Sequence, residues 1–159
     1  MNQPIETGVV SLDVLQSYDG LSFLKAMIEG TLPQPPITET LGFRLAEAEH
    51  GRAVFRGEPQ YRHYNPIGTV HAGFAATLLD SAVACSVHST LQKGEAYTTA
   101  EFKLNLVRPL TKDTGVVAAE GRVLHRGRTL ATAEGYLRDA SGKLYAHATT
   151  TCMIFPMGK

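Results

Sequence analysis

The sequence predicts an α+β domain in which an antiparallel sheet wraps around one long helix. Three observations predict it. Residues 72–91 run without proline and are dominated by Ala, Leu and Val. Two strand-like runs precede that segment, and four more follow it at 97–107, 115–125, 128–138 and 143–154. Hairpin turn residues stand at His50-Gly51 and at Asp139-Ala140-Ser141-Gly142.

Residues 1–18 alternate weakly. Across 19–29, Leu21, Leu24 and Ile28 fall at helical spacing beside Phe23 and Met27, with Asp19 placed as an N-cap and Gly30 just past the end. The proline-rich run Leu32-Pro33-Gln34-Pro35-Pro36 reads as an extended connector that excludes helix. Residues 43–47 and 53–56 alternate with period two around His50-Gly51, the signature of a hairpin. Residues 58–70 read as a loop. The 72–91 segment would form a helix about 30 Å long. It carries apolar residues nearly all round, as a buried helix does, and Lys93-Gly94 ends it. Arg126-Gly127-Arg128 and Asp139-Ala140-Ser141-Gly142 separate the later strands.

The 159 residues suffice for one domain with a real core. Apolar residues make up 43% and charged residues 19%, a globular composition. Fifteen basic residues balance fifteen acidic ones, which argues against a broad nucleic-acid surface or a polybasic membrane anchor. Cys85 and Cys152 are too few for a disulfide framework, and without a CxxC pair no structural zinc site or other metal site is expected. The first residues lack a basic and apolar leader, and Asp80, Ser81, Ser86, His88 and Ser89 make the most apolar window too polar to span a membrane. A soluble cytoplasmic protein is the expectation.

Asp80 is the only carboxylate between Glu58 and Glu95, and it falls in the middle of the apolar helix. Its neighbours one turn away are Ala76, Thr77, Val83 and Ala84, so its own helix offers no cation. Such an acid either finds donors elsewhere as a structural group or shifts its pKa upward and becomes a candidate base. The run Asn65-Pro66-Ile67-Gly68-Thr69-Val70-His71-Ala72-Gly73 leads into the helix start, where free amides and the helix dipole favour developing negative charge. Cys85 and His88, three apart, could form a nucleophilic pair, but Cys85 reads first as a small core residue.

Asn65 to Gly73, followed by Ala76-Thr77-Leu78-Leu79-Asp80, resembles the active-site signature of PaaI-type hotdog-fold thioesterases. The resemblance extends over residues 35–155, through Leu41-Gly42-Phe43, 105–109, Gly127-Arg128-Thr129 and 139–146. Ala72 stands where that family usually has the first of two glycines. The resemblance implies a hotdog domain at 35–159 after an N-terminal extension at 1–34. It implies a dimer or tetramer with the site between subunits, acyl-CoA as substrate, and no cofactor beyond the substrate's own coenzyme A. Carried onto this sequence, Asp80 is the general base or nucleophile and Asn65 orients water or the thioester. The N–H of Gly73, with Ala72, polarises the carbonyl, His71 braces the loop, and Thr99 matches a water-orienting hydroxyl. Arg126, Gly127 and Arg128, with Arg108 and Lys103, are candidates for the CoA phosphates. Phe74 and Tyr64 are candidates for the acyl pocket, and the first residues are expected to pack over a sheet edge or substrate tunnel. Two other readings are a non-catalytic acyl-CoA-binding module and a hydratase or dehydratase using His71 as base.

Overall fold

The computed structural model describes residues 6–158. Residues 1–5, read above for a leader, lie outside them. Three short helices come first. Helix α1 spans Leu12–Ser17, with the Ser11 hydroxyl accepting from the Val14 amide. Helix α2 spans Gly20–Glu29; Asp19 caps it by accepting from the Ser22 amide at 2.9 Å, and Gly30 closes it at φ 78°. Helix α3 spans Pro36–Leu41, which corrects the expectation that the proline run excludes helix. Pro36 occupies the first turn, where a missing N–H costs nothing because that group has no intrahelical partner.

Strands β1 (Phe43–Glu49) and β2 (Arg52–Gly57) form the expected hairpin, with Gly51 at φ 76° in its turn. Helix α4 then runs from Ala72 to His88. It stops three residues earlier than its apolar run, because the Ser89 and Thr90 hydroxyls fold back onto the carbonyls of Ser86 and Val87. Strands β3 (Glu95–Leu106), β4 (Val117–Arg126), β5 (Leu130–Asp139) and β6 (Leu144–Pro156) complete the chain. One antiparallel sheet holds all six in the order β1-β2-β4-β5-β6-β3. With α4 lying across it, this is the hotdog arrangement. Among the described residues no helix is long and apolar enough to cross a membrane.

The helix meets the sheet at a pair of glycines. Gly121 on β4 and Gly135 on β5 are direct register partners. A Cβ on Gly121 would stand 2.2 Å from the Ala82 carbonyl oxygen, and one on Gly135 would stand 2.7 Å from Val83. Both strands therefore present bare backbone where α4 crosses. Leu78, Leu79, Ala82 and Val83 are fully buried there. Each large side chain so buried contributes about 1.5–3 kcal/mol. The residues Gly73, Ala76, Thr77 and Asp80, one stripe at i, i+3, i+4 and i+7, remain only half covered.

The N-terminal segment is part of the core. Leu24 and Met27 of α2 are buried in the same cluster as Phe55 and Leu78. The buried Gln34 donates to the Met27 carbonyl and accepts from the Leu45 amide, tying the extension to β1. Replacing Gly121 by Ala is expected to force helix and sheet apart and to lower stability by about 1–3 kcal/mol, read as a fall in melting temperature with the secondary structure retained.

Candidate functional site

Asp80 lies half buried at the end of the uncovered stripe of α4. Among the described residues its carboxylate accepts no hydrogen bond from a side chain or a non-helical amide and makes no ion pair. Burial pushes its pKa above the ordinary carboxylate value of 3.8. It opens into a cavity of about 530 Å³ that it shares with Thr99 of β3. The aromatic side chains on that cavity are Phe23, Phe55, His88 and Tyr97. Phe74 and Tyr64, the acyl-pocket candidates, do not line it: Phe74 is buried against the His63 ring at 4.7 Å, and the Tyr64 hydroxyl accepts from the Lys112 amide. The aromatic signal of Phe23 and Tyr97 was present in the sequence, but it belongs to segments that only the fold brings to Asp80.

The second group of candidate residues surrounds the start of α4. The Asn65 carboxamide organises its loop. Its oxygen accepts from the Ile67 and Thr69 amides at 3.1 and 3.2 Å, and its nitrogen donates to the Thr69 hydroxyl at 2.9 Å. His71 is the N-cap of α4, with Nδ1 accepting from the Gly73 amide at 2.9 Å. With Nδ1 engaged as an acceptor, the ring's N–H lies on Nε2. It also occupies the Gly73 N–H, one of the two amides expected to polarise a carbonyl. The Ala72 N–H, by contrast, donates to no other backbone or side-chain group among the described residues. Asn65, His71, Ala72 and Arg108 line a separate cavity of about 370 Å³.

A single chain does not bring these two groups together. Ala72 and Asp80 are eight residues apart on one straight helix, a separation of about 12 Å along its axis. No thioester carbonyl can touch both.

The Arg126-Gly127-Arg128 turn lies beyond the other end of α4. The Arg126 guanidinium is committed within the chain, pairing with Glu95 at 2.6 Å and donating to the Thr90 hydroxyl and the Gly127 carbonyl. Arg128 is exposed. Arg108 is exposed too, and donates to the Leu144 carbonyl at 2.6 Å. Cys85 and His88 both reach the Asp80 cavity. Burial pushes the Cys85 thiol up to about 12 and the His88 imidazole down to about 4. A thiolate–imidazolium pair is unfavourable in that setting.

The model of the thioesterase superfamily matches residues 67–146. The chain belongs to that superfamily. It is 24% identical over 118 residues to a 1,4-dihydroxy-2-naphthoyl-CoA hydrolase of Listeria monocytogenes, covering 74% of this chain and 94% of the relative. It is 29% identical over 108 residues to human acyl-coenzyme A thioesterase 13, covering 67% of this chain and 76% of that one. Among solved structures, a phenylacetic acid degradation-related protein from Ralstonia eutropha superposes with a TM-score of 0.74 at 30% identity, over 82% of this chain and 98% of that one. A variant of the phenylacetic acid degradation protein PaaI from Thermus thermophilus gives 0.67 at 30% identity, over 74% of this chain and 97% of its own. This thioesterase is therefore similar to the PaaI type, as its loop-and-helix motif implies.

An ionised Asp80 costs this thioesterase folding free energy, because its pKa is raised in the folded state. Asp80→Asn is expected to melt at a higher temperature than the parent at pH 7. The gap should close as pH falls through the raised pKa to below 3.8, where both states are protonated. Thermal melts across that range check the sign.

Proposed function

We propose that this thioesterase hydrolyses an acyl-CoA to the free acid and coenzyme A, with Asp80 as the group that activates attack. The observation that carries the proposal is the unpartnered, partly buried carboxylate at the edge of an apolar cavity. Desolvation makes such a carboxylate a stronger base than one in water. Water attacks the carbonyl carbon as Asp80 takes its proton. The carbonyl oxygen becomes an oxyanion held by helix N-terminal amides. Collapse breaks the C–S bond, and the CoA thiolate recovers the proton from Asp80. If instead an Asp80 oxygen attacks directly, the intermediate is a mixed anhydride that water opens. In heavy-oxygen water, solvent oxygen enters Asp80 only by the anhydride route, when water attacks the Asp80 carbonyl carbon, and an acyl-enzyme adduct trapped on Asp80 identifies that route whichever carbonyl water attacks.

The donors come from a second copy of the chain. The half-covered stripe of α4 is made of small residues, and a twofold axis near Ala76 and Thr77 would set two such stripes antiparallel. Asp80 of one copy then lies opposite Ala72 and Gly73 of the other. Strand β3, long and at the sheet edge, offers unpaired backbone for the same contact. In that site Ala72 supplies the free amide and His71 holds the Gly73 amide and the loop in place. Asn65 fixes the loop and offers its remaining N–H to the thioester or water, and Thr99 orients the water near Asp80. Exposed Arg128 beside Gly127 is the better phosphate contact. Arg126 braces that turn through Glu95, and Arg108 serves near the Asn65 loop. No cofactor is invoked beyond the substrate's coenzyme A. The assembly is a dimer or a dimer of dimers. The hydratase reading loses its base, since His71 Nδ1 already accepts a hydrogen bond and Nε2 carries the proton.

Asp80→Asn is expected to lower kcat in a thiol-release assay by about 10²–10⁴ while keeping the oligomer intact. Parent-like turnover refutes the role. Tight acyl-CoA binding by the parent with no thiol released would support a binding module instead. Co-expressing Asp80→Asn with Asn65→Ala tests the shared site. Mixed dimers carry one intact site, so activity should recover to roughly a quarter of the parent's. No recovery would place the whole site in one chain.

A further inference from the structure

The acyl-binding end of this enzyme is bounded by its N-terminal extension. The Asp80 cavity does not stand alone: a second cavity of about 220 Å³ adjoins it. Four side chains line both, Leu15, Phe23, His88 and Tyr97, and so form the partition between them. Three of the four are aromatic rings in mutual contact. Phe23 stacks on His88 at 5.3 Å and 19°, and His88 meets Tyr97 edge-on at 5.3 Å. His88 and Tyr97 belong to α4 and β3, whereas Phe23 is brought in by α2.

The position of Phe23 is set tightly. Asp19 caps α2 through both the amide and the hydroxyl of Ser22. The Gly20 amide donates to the Leu91 carbonyl at 2.9 Å. A Cβ on Gly20 would stand 1.7 Å from the His88 carbonyl oxygen, so only glycine lets α2 sit this close to the end of α4. On the near side of the partition, Leu24 and Met27 give the Asp80 cavity an apolar wall. On the far side, Leu12, Tyr18 and Leu91 line the second chamber.

We propose that this aromatic partition sets the length of acyl group the enzyme accepts, with Phe23 as the side chain that closes the Asp80 cavity off from the second chamber. Acyl groups that end at the partition bind fully, and a longer chain gains nothing from its extra methylenes unless the two chambers are joined. The inference rests on the acyl-CoA reading above and adds to it a size limit and the residue that imposes it. It places a selectivity determinant outside residues 67–146, the span the superfamily model matches.

Non-hydrolysable S-alkyl-CoA thioethers, from ethyl to hexadecyl, measure the limit by calorimetry. In the parent, affinity should climb about fourfold per buried methylene and then break to a plateau. Phe23→Ala should move the break to longer chains, and Phe23→Trp should move it to shorter ones. Opposite shifts from one position exclude a general loosening of the fold, and a thermal melt confirms that both variants fold. A break that stays put in both variants overturns the proposal, as does a parent whose affinity climbs without a break or shows no dependence on chain length. The matching acyl-CoA panel separates the two readings. If thiol release is absent while the thioether break remains and moves as stated, the hydrolase reading fails and the partition stands. If hydrolysis proceeds with the same chain-length profile in all three proteins, the partition fails and the hydrolase reading stands.

Discussion

The one-sided burial of α4 is the constraint on which the rest of the structure depends. Its far face is pressed onto the sheet so closely that Gly121 and Gly135 must lack side chains. Its near face, from Gly73 to Asp80, is left half covered by its own chain. A helix this apolar gains most of its stability from packing, so an uncovered stripe is a loss unless something else uses it. The residues along that stripe are small except for Asp80. The stripe therefore permits close approach and carries one carboxylate.

That geometry also decides the electrostatics. Asp80 has no counter-ion within its helix, and the sheet offers none. The positive end of the helix dipole lies about 12 Å away at Ala72, too far to neutralise the carboxylate within one chain. The acid and the amides on one rod are thus kept apart by the rod itself. Burial alone acts on the Asp80 pKa, and it acts in the direction that makes a base. The neighbouring Cys85 and His88 experience the same burial and are driven to their neutral forms. The cavity accordingly holds a single group prone to carry charge among several silent ones.

Much of this was legible in the residues. The helix at 72–88 follows from an uninterrupted apolar run, and the hairpins follow from period-two alternation around His50-Gly51 and 139–142. Asp80 could be singled out because no other acid lies between Glu58 and Glu95. Helices α1 and α3 were missed. Six residues hold too little periodicity to register, and a proline run signals a break by composition although Pro36, placed in the first turn, starts a helix. The aromatic residues lining the Asp80 cavity are not legible for a different reason. Phe74 and Tyr64 are near the motif in sequence, whereas Phe23 reaches the Asp80 cavity because α2 folds back over the end of α4, and Tyr97 reaches it from β3. The capping of Gly73 by His71 was also beyond reach, since it depends on ring orientation rather than on spacing.

Gly20 has a consequence for how such an enzyme can diverge. The seat of α2 on α4 tolerates no side chain there, so the docking angle of the extension is not open to gradual adjustment by point changes. Position 23, about one turn on, stacks on His88 and borders two cavities, so its bulk can change at the cavity side without a clash at that seat. The scaffold therefore separates a joint that admits no side chain from a neighbouring position where ring bulk alone alters the shape of two adjoining cavities.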